Sequence, residues 1–115
     1  MFSPFPHDSD RLSPYEAHRL SGDGRAVLLD VREAPEWQAG HAPGAVHLPL
    51  SRLRDGAALP GAARGKPVIT VCRSGNRSRT AAALLVARGV RATDVVGGMT
   101  AWARAGLPVT GGGAA

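Results

Sequence analysis

Apolar positions in this chain fall into short runs separated by amphipathic stretches and turn residues. The run Ala26-Val27-Leu28-Leu29 leads into Asp30-Val31, and Val68-Ile69-Thr70-Val71 leads into Cys72. Apolar runs this short predict strands buried on both faces, as in a parallel sheet. Ala45 to Leu48, ended by Pro49, and Thr93 to Val96 predict two lesser strands. Helical signals lie between them. Ser13 can cap a helix, Pro14 suits its first position and Glu16 can close a capping box; this helix is expected to run to Leu20 and stop by Gly22. Ala34 to Ala39 predicts a short helix anchored by Trp37 and stopped by Gly40, followed by a turn from His41 to Gly44. From Asn76 to Arg88, Ala81, Leu84, Leu85 and Arg88 recur at helical spacing, with Ala82 and Val86 on an adjoining face and Gly89 as the C-terminal cap. A tight turn at Gly97-Gly98 leads into a last helix, Met99 to Arg104, anchored by Trp102 and stopped by Gly106, with Leu107 to Val109 extended after it. Ser51 to Arg64 is the least patterned stretch: Ser51 can cap a helix with Leu53 and Leu59 facing inward, broken by Gly56, Pro60 and Gly61.

Strands alternating with helices predict an α/β fold with a mostly parallel sheet of about five strands in three α/β/α layers. Right-handed crossovers should cover both faces. The expected organisation is one domain over residues 12–110, after an irregular arm over 1–11 and before a flexible tail over 111–115. Ligands in such sheets gather at the C-terminal ends of the strands. Asp30 and Cys72 end the two strongest strand candidates, so both fall at that edge.

Charge narrows the picture. The net charge is +5, and 13 of the 14 basic residues are arginine. They are scattered, and aromatic residues to stack bases are few, which argues against nucleic acid as a partner. The concentrated group is Arg73, Arg77 and Arg79, around the lone thiol, and it points to a small anion. One cysteine permits neither an internal disulfide nor a cysteine cluster for zinc, and the histidines His7, His18 and His47 have no ligand spacing. No metal or cofactor is expected. No transmembrane run and no secretory signal are read, so a reducing, cytoplasmic setting without membrane contact is expected.

The chemistry concentrates in Cys72-Arg73-Ser74-Gly75-Asn76-Arg77-Ser78, which joins a strand to a helix. A loop curled this way turns backbone N–H groups inward, and the helix start adds partial positive charge. Both favour a bound anion and the thiolate form of Cys72. Gly75 lets the loop adopt a positive φ. Four blocks resemble the rhodanese family of sulfurtransferases: Leu28 to Glu33, Glu36-Trp37 through Gly40 to Leu50, Val71 to Ser78, and Gly97-Gly98-Met99 through Trp102 with Gly106 to Val109. The Ser51–Lys66 stretch departs most from the family pattern.

The resemblance implies a single rhodanese-like domain that moves a sulfane sulfur from a donor such as thiosulfate to cyanide, a thiol or a sulfur-accepting protein, through a persulfide on Cys72. Arg77 would attract the donor's sulfonate. Arg73, Ser74, Gly75, Asn76 and Ser78 would form the persulfide-binding loop, with Ser74 and Ser78 either donating hydrogen bonds to the sulfur or capping the helix. Asp30 is read as ordering its strand end by pairing with an arginine, with direct catalysis less favoured. Arg32 either adds positive field or bonds nearby carbonyls. His41 is read as a turn-stabilising hydrogen bonder. Two other readings stay open. One is a persulfide carrier or binding module with little turnover. The other is phosphatase or arsenate-reductase chemistry, whose relatives resemble Cys-x5-Arg; the spacing from Cys72 to Arg77 is Cys-x4-Arg, a smaller ring.

Overall fold

The two strong apolar runs form the middle of the sheet in the computed structural model, which describes Phe5 and residues 11–111. β1 (Val27–Asp30) and β3 (Val68–Val71) lie parallel, with Leu28 opposite Ile69 and Asp30 opposite Val71. β2 (Val46–His47) pairs with the free side of β1, and β4 (Ala92–Asp94) with the free side of β3. The order is β2-β1-β3-β4, all parallel. Among the described residues the sheet thus has four strands where about five were expected. Leu12 supplies a fragment of the missing edge. It forms a single parallel bridge to Val95, in which its N–H donates to the Asp94 carbonyl (2.9 Å) and its carbonyl accepts from the Val96 N–H (2.8 Å).

Alternation along the strands sends neighbouring side chains to opposite faces, and both faces are covered. Leu28, Ile69 and Val71 pack with residues of α1 (Pro14–Gly22) and α5 (Gly98–Arg104), among them Leu20 and Trp102. Leu29 and Val68 pack on the other side with α3 (Leu50–Arg54) and α4 (Asn76–Ala87), among them Leu53 and Leu85. A short 3-10 turn, Gly61–Ala63, joins that second cluster through buried Ala63. The result is the three-layer α/β/α arrangement that strand–helix alternation implied. Among the described residues, no helix is long and apolar enough to cross a membrane.

Local signals hold where they are chemical. The Ser13–Glu16 capping box closes at the start of α1 as predicted. They slip where burial decides. Leu50 and Leu53, three apart and both buried, set the face of α3, so the helix starts at Leu50 and Ser51 does not cap it. The Ser51 hydroxyl instead donates to Glu33 (3.0 Å). On α4 the buried face is Ser78, Ala81, Ala82 and Leu85, while Val86 is 55 % exposed. β4 begins at Ala92 and ends at Asp94, earlier than predicted, and just past it the Val95 N–H still donates to the Thr70 carbonyl of β3 (3.0 Å).

Two positions in the segment expected to be an irregular arm are anchored. Phe5 is 4 % exposed and packs in the α1/α5 cluster. Arg11 pairs with Asp94. The remaining residues of that arm, with His7, and residues 112–115 lie outside the described residues.

Leu85 fastens α4 to the sheet and is fully buried. Leu85→Ala should cost about 2–5 kcal/mol of unfolding free energy, measured by denaturant titration. A cost under about 1 kcal/mol would mean that α4 is held mainly by its N-terminal loop.

Candidate active site

Cys72 follows the last residue of β3, and α4 begins four residues later at Asn76. The N-cap position of α4 is Gly75, at φ +107°, and no side chain accepts the first amides of the helix there. The sulfur takes that place. The Gly75 N–H donates to Sγ (3.2 Å), and the amides of Ser74 and Ser78 also support the charged form. The Ser78 hydroxyl lies 3.3 Å from Sγ. Burial pushes the Cys72 thiol up, but the Ser78 hydroxyl and the three amides outweigh it and bring the thiol below its ordinary value. Cys72 is 1 % exposed, so its sulfur sits at the floor of the loop rather than on the surface.

The loop is held from two sides. The Thr70 hydroxyl, on β3, donates to the Ser78 carbonyl (2.7 Å). On the other side, the first amides of α5 reach the loop's carbonyls: Met99 N–H donates to Cys72 O (2.7 Å) and Thr100 N–H to Arg73 O (3.0 Å). This close approach needs glycine at Gly98, where a Cβ would run into the Cys72 carbonyl and the Arg73 backbone. Gly75 is constrained in the same way: besides its positive φ, a Cβ there would meet Arg11 Nη2 and Gly97 N at 3.2 Å.

The arginines around the thiol divide. Arg73 and Arg79 are exposed, as are Ser74 and Asn76. Arg77 is not a free anion-binding fork: Nη1 and Nη2 donate to the two carboxylate oxygens of Glu36, on α2 (Ala34–Gln38), at 2.6 and 2.8 Å. Arg77, helped by the Glu33 N–H and the field of Arg32, holds the Glu36 carboxyl down at about 2. The site therefore meets an incoming anion with a cation already paired.

Asp30 and Arg32 form a fully satisfied brace. Asp30 accepts from the Arg32 backbone N–H (3.0 Å) and from the Arg32 guanidinium (2.8 Å at Nη2), which also donates to the Gly40 carbonyl (2.7 Å). The pair ties the end of β1 to the turn after α2. α2 buries none of its residues, so Trp37 anchors by stacking rather than by burial. Its ring lies 3.5 Å from that of His41 and 4.7 Å from that of His47, nearly parallel to both. His41 keeps the predicted turn role: its N–H and carbonyl both bond Thr110, and its Nδ1 lies 2.9 Å from the Trp37 carbonyl oxygen. Among the described residues no group of three His, Cys, Asp or Glu side chains could hold a metal ion.

Three residues at the site had no role assigned from the sequence: Glu36, Arg11 and Asp94. Arg11 donates through Nε and Nη2 to the Asp94 carboxylate (2.9–3.2 Å) and through Nη2 to the Gly75 carbonyl (3.2 Å). The sequence signal for these residues is weak, because their partners stand 41, 83 and 64 positions away.

The family model for the rhodanese-like domain matches residues 13–105. The chain is 41% identical over 93 residues to thiosulfate sulfurtransferase GlpE of Pseudomonas savastanoi pv. phaseolicola, covering 80% of this chain and 85% of that one. It is 34% identical over 97 residues to the adenylyltransferase and sulfurtransferase UBA4 of Yarrowia lipolytica, covering 84% of this chain but only 24% of that protein's length. The crystal structure of a thiosulfate sulfurtransferase from Pseudomonas aeruginosa superposes with a TM-score of 0.76 at 26% identity, over 99% of this chain and 22% of that one.

The Glu36 carboxyl ionises at a lower pH in the folded chain than an ordinary glutamate, so its pairing stabilises the fold above about pH 4.3 and is lost as pH falls through about 2. Acidification over the neutral range therefore leaves Arg77 masked. Glu36→Gln should unmask it, at a stability cost of at most about 1 kcal/mol. Half-protection of Cys72 from iodoacetamide by sulfate should then need about fivefold less sulfate. Unchanged or weaker protection would show that Glu36 aims Arg77 rather than masking it.

Proposed function

The chain belongs to the rhodanese-like domain family, and we propose that it works there as a sulfurtransferase that carries a sulfane sulfur on Cys72 as a persulfide. The observation that carries this reading is the sulfur's position as acceptor for the Gly75 N–H, with the Ser74 and Ser78 amides beside it, at the start of α4. A thiolate held this way is a ready nucleophile. With thiosulfate as donor, Sγ attacks the outer sulfur. A new S–S bond forms, the donor's own S–S bond breaks, and sulfite leaves with the electron pair. The persulfide's negative charge is then met by the same ring of N–H donors. In the second step cyanide attacks the outer sulfur, thiocyanate departs and the Cys72 thiolate returns. A thiolate acceptor would leave carrying the persulfide instead. The chain has no second cysteine, so release calls for an external acceptor. A thiol that must return to its reduced form fits a reducing compartment such as the cytoplasm.

The tight loop favours sulfur over phosphate. Cys72 offers almost no surface, which suits attack on a single terminal atom better than on the centre of a tetrahedral oxyanion. Arg73 and Arg79, exposed near the loop, would draw the donor anion in, and the Arg77–Glu36 pair would have to yield for Arg77 to contact the sulfonate.

Intact-mass analysis after exposure to thiosulfate should find one added sulfur atom on the wild-type chain and none on Cys72→Ser. Cyanide should strip that sulfur and release thiocyanate, and Cys72→Ser should lower this turnover by orders of magnitude. Sulfur loading with negligible turnover would favour a persulfide carrier. Release of phosphate from an aryl phosphate without sulfur loading would overturn the reading.

A further inference from the structure

The hydroxyl of Ser78 has one hydrogen and two acceptors. Sγ of Cys72 lies 3.3 Å from its oxygen and Asp94 Oδ2 lies 3.4 Å away. All three groups are buried, and Asp94 is only 3 % exposed. An uncompensated buried carboxylate would hold that hydrogen and would put a second negative charge one hydroxyl away from the sulfur. Arg11 prevents this. Its Nε bonds both Asp94 oxygens (3.1 and 3.2 Å), and its Nη2 adds a bond to Oδ2 (2.9 Å). The same Nη2 reaches the Gly75 carbonyl (3.2 Å), steadying the residue whose N–H points at sulfur. The bridge between Leu12 and Val95 brings Arg11 to this place, because it lays the chain before α1 alongside the end of β4.

We propose that Arg11 and Asp94 are a positioning pair for the nucleophile: Arg11 occupies the Asp94 carboxylate, and the Ser78 hydrogen is thereby left for the Cys72 sulfur. In the thiol form, S–H donates to Ser78 Oγ and the Ser78 hydrogen points to Asp94. On ionisation the thiol proton leaves to solvent and the hydroxyl turns its hydrogen from Asp94 to sulfur. Arg11 and Arg77 both also lend positive field to Cys72, and Arg77 does so from α4 in the grip of Glu36. The inference rests on Cys72 acting as a thiolate, and it holds for any sulfur donor.

Cys72 is the chain's single cysteine, so the ultraviolet absorbance of the thiolate, followed against pH, reports this group directly. Arg11→Met should raise the Cys72 transition by roughly one pH unit. Asp94→Asn should leave it unchanged or lower it, and the Arg11→Met/Asp94→Asn double variant should return most of the shift. If Arg11→Met does not fold, Arg11→Lys, which keeps the charge but loses the fork, should give an intermediate shift. No shift in either Arg11 variant, or a double variant shifted as far as Arg11→Met alone, overturns the proposal, because a merely structural pair would not be rescued by removing its second member. Absence of sulfur loading on the wild-type chain would sink the sulfurtransferase reading and leave the titration result standing.

Discussion

A helix start leaves amide donors that something must accept, and here that acceptor is a buried sulfur. Gly75 brings no side chain to the N-terminus of α4, so the amides around it converge on Cys72. The dependence runs both ways. The donors at the helix start lower the thiol's pKa against the penalty of burial, and the sulfur in turn accepts from a helix start that no other side chain caps. The glycines at 75 and 98 follow from the same constraint, because the loop can wrap the sulfur only where no Cβ intervenes. Even α5 serves it, with its first amides holding the carbonyls of Cys72 and Arg73 turned away from the cup.

Three arginines near this centre are each held by an acid. Asp30 holds Arg32, Glu36 holds Arg77 and Asp94 holds Arg11. The pairs differ in what they do. Asp30–Arg32 is buried and reaches the Gly40 carbonyl, so it fastens the end of β1 to the α2 turn. Glu36–Arg77 is partly exposed and joins α2 to α4, so it lies where an incoming anion must compete. Arg11–Asp94 sits behind the loop and bears on the hydroxyl that touches sulfur. A net charge of +5 by itself suggests a thiol bathed in positive field. Local pairing instead leaves hydrogen-bond donors as the main force that ionises the thiol.

This balance bears on what the site can transfer. In the proposed sulfurtransferase reading, the amide donors meet the charge of a terminal sulfur, and the pairing of Arg77 with Glu36 leaves no free guanidinium fork for a tetrahedral oxyanion. The thiol's low exposure belongs to the same reading.

The sequence by itself determined the parts that local chemistry controls. Val27 to Asp30 and Val68 to Val71 read as strands buried on both faces because of their short apolar runs, and they are the middle of the sheet. The Ser13 capping box, the strand–loop–helix around Cys72 and the glycine demanded at position 75 are short-range properties, legible within a few residues. The edges were less legible: β4 is displaced and α3 starts before Ser51, because their limits depend on which apolar side chains find partners. Only the tertiary structure decided the charges. Parallel pairing brings Asp94 at the end of β4 beside the loop, a one-residue bridge swings Arg11 onto it, and α2 presents Glu36 to Arg77. Partners 41 and 83 residues apart have no common periodicity to betray them; they meet because strand ends that share one edge of a parallel sheet must share their electrostatics as well.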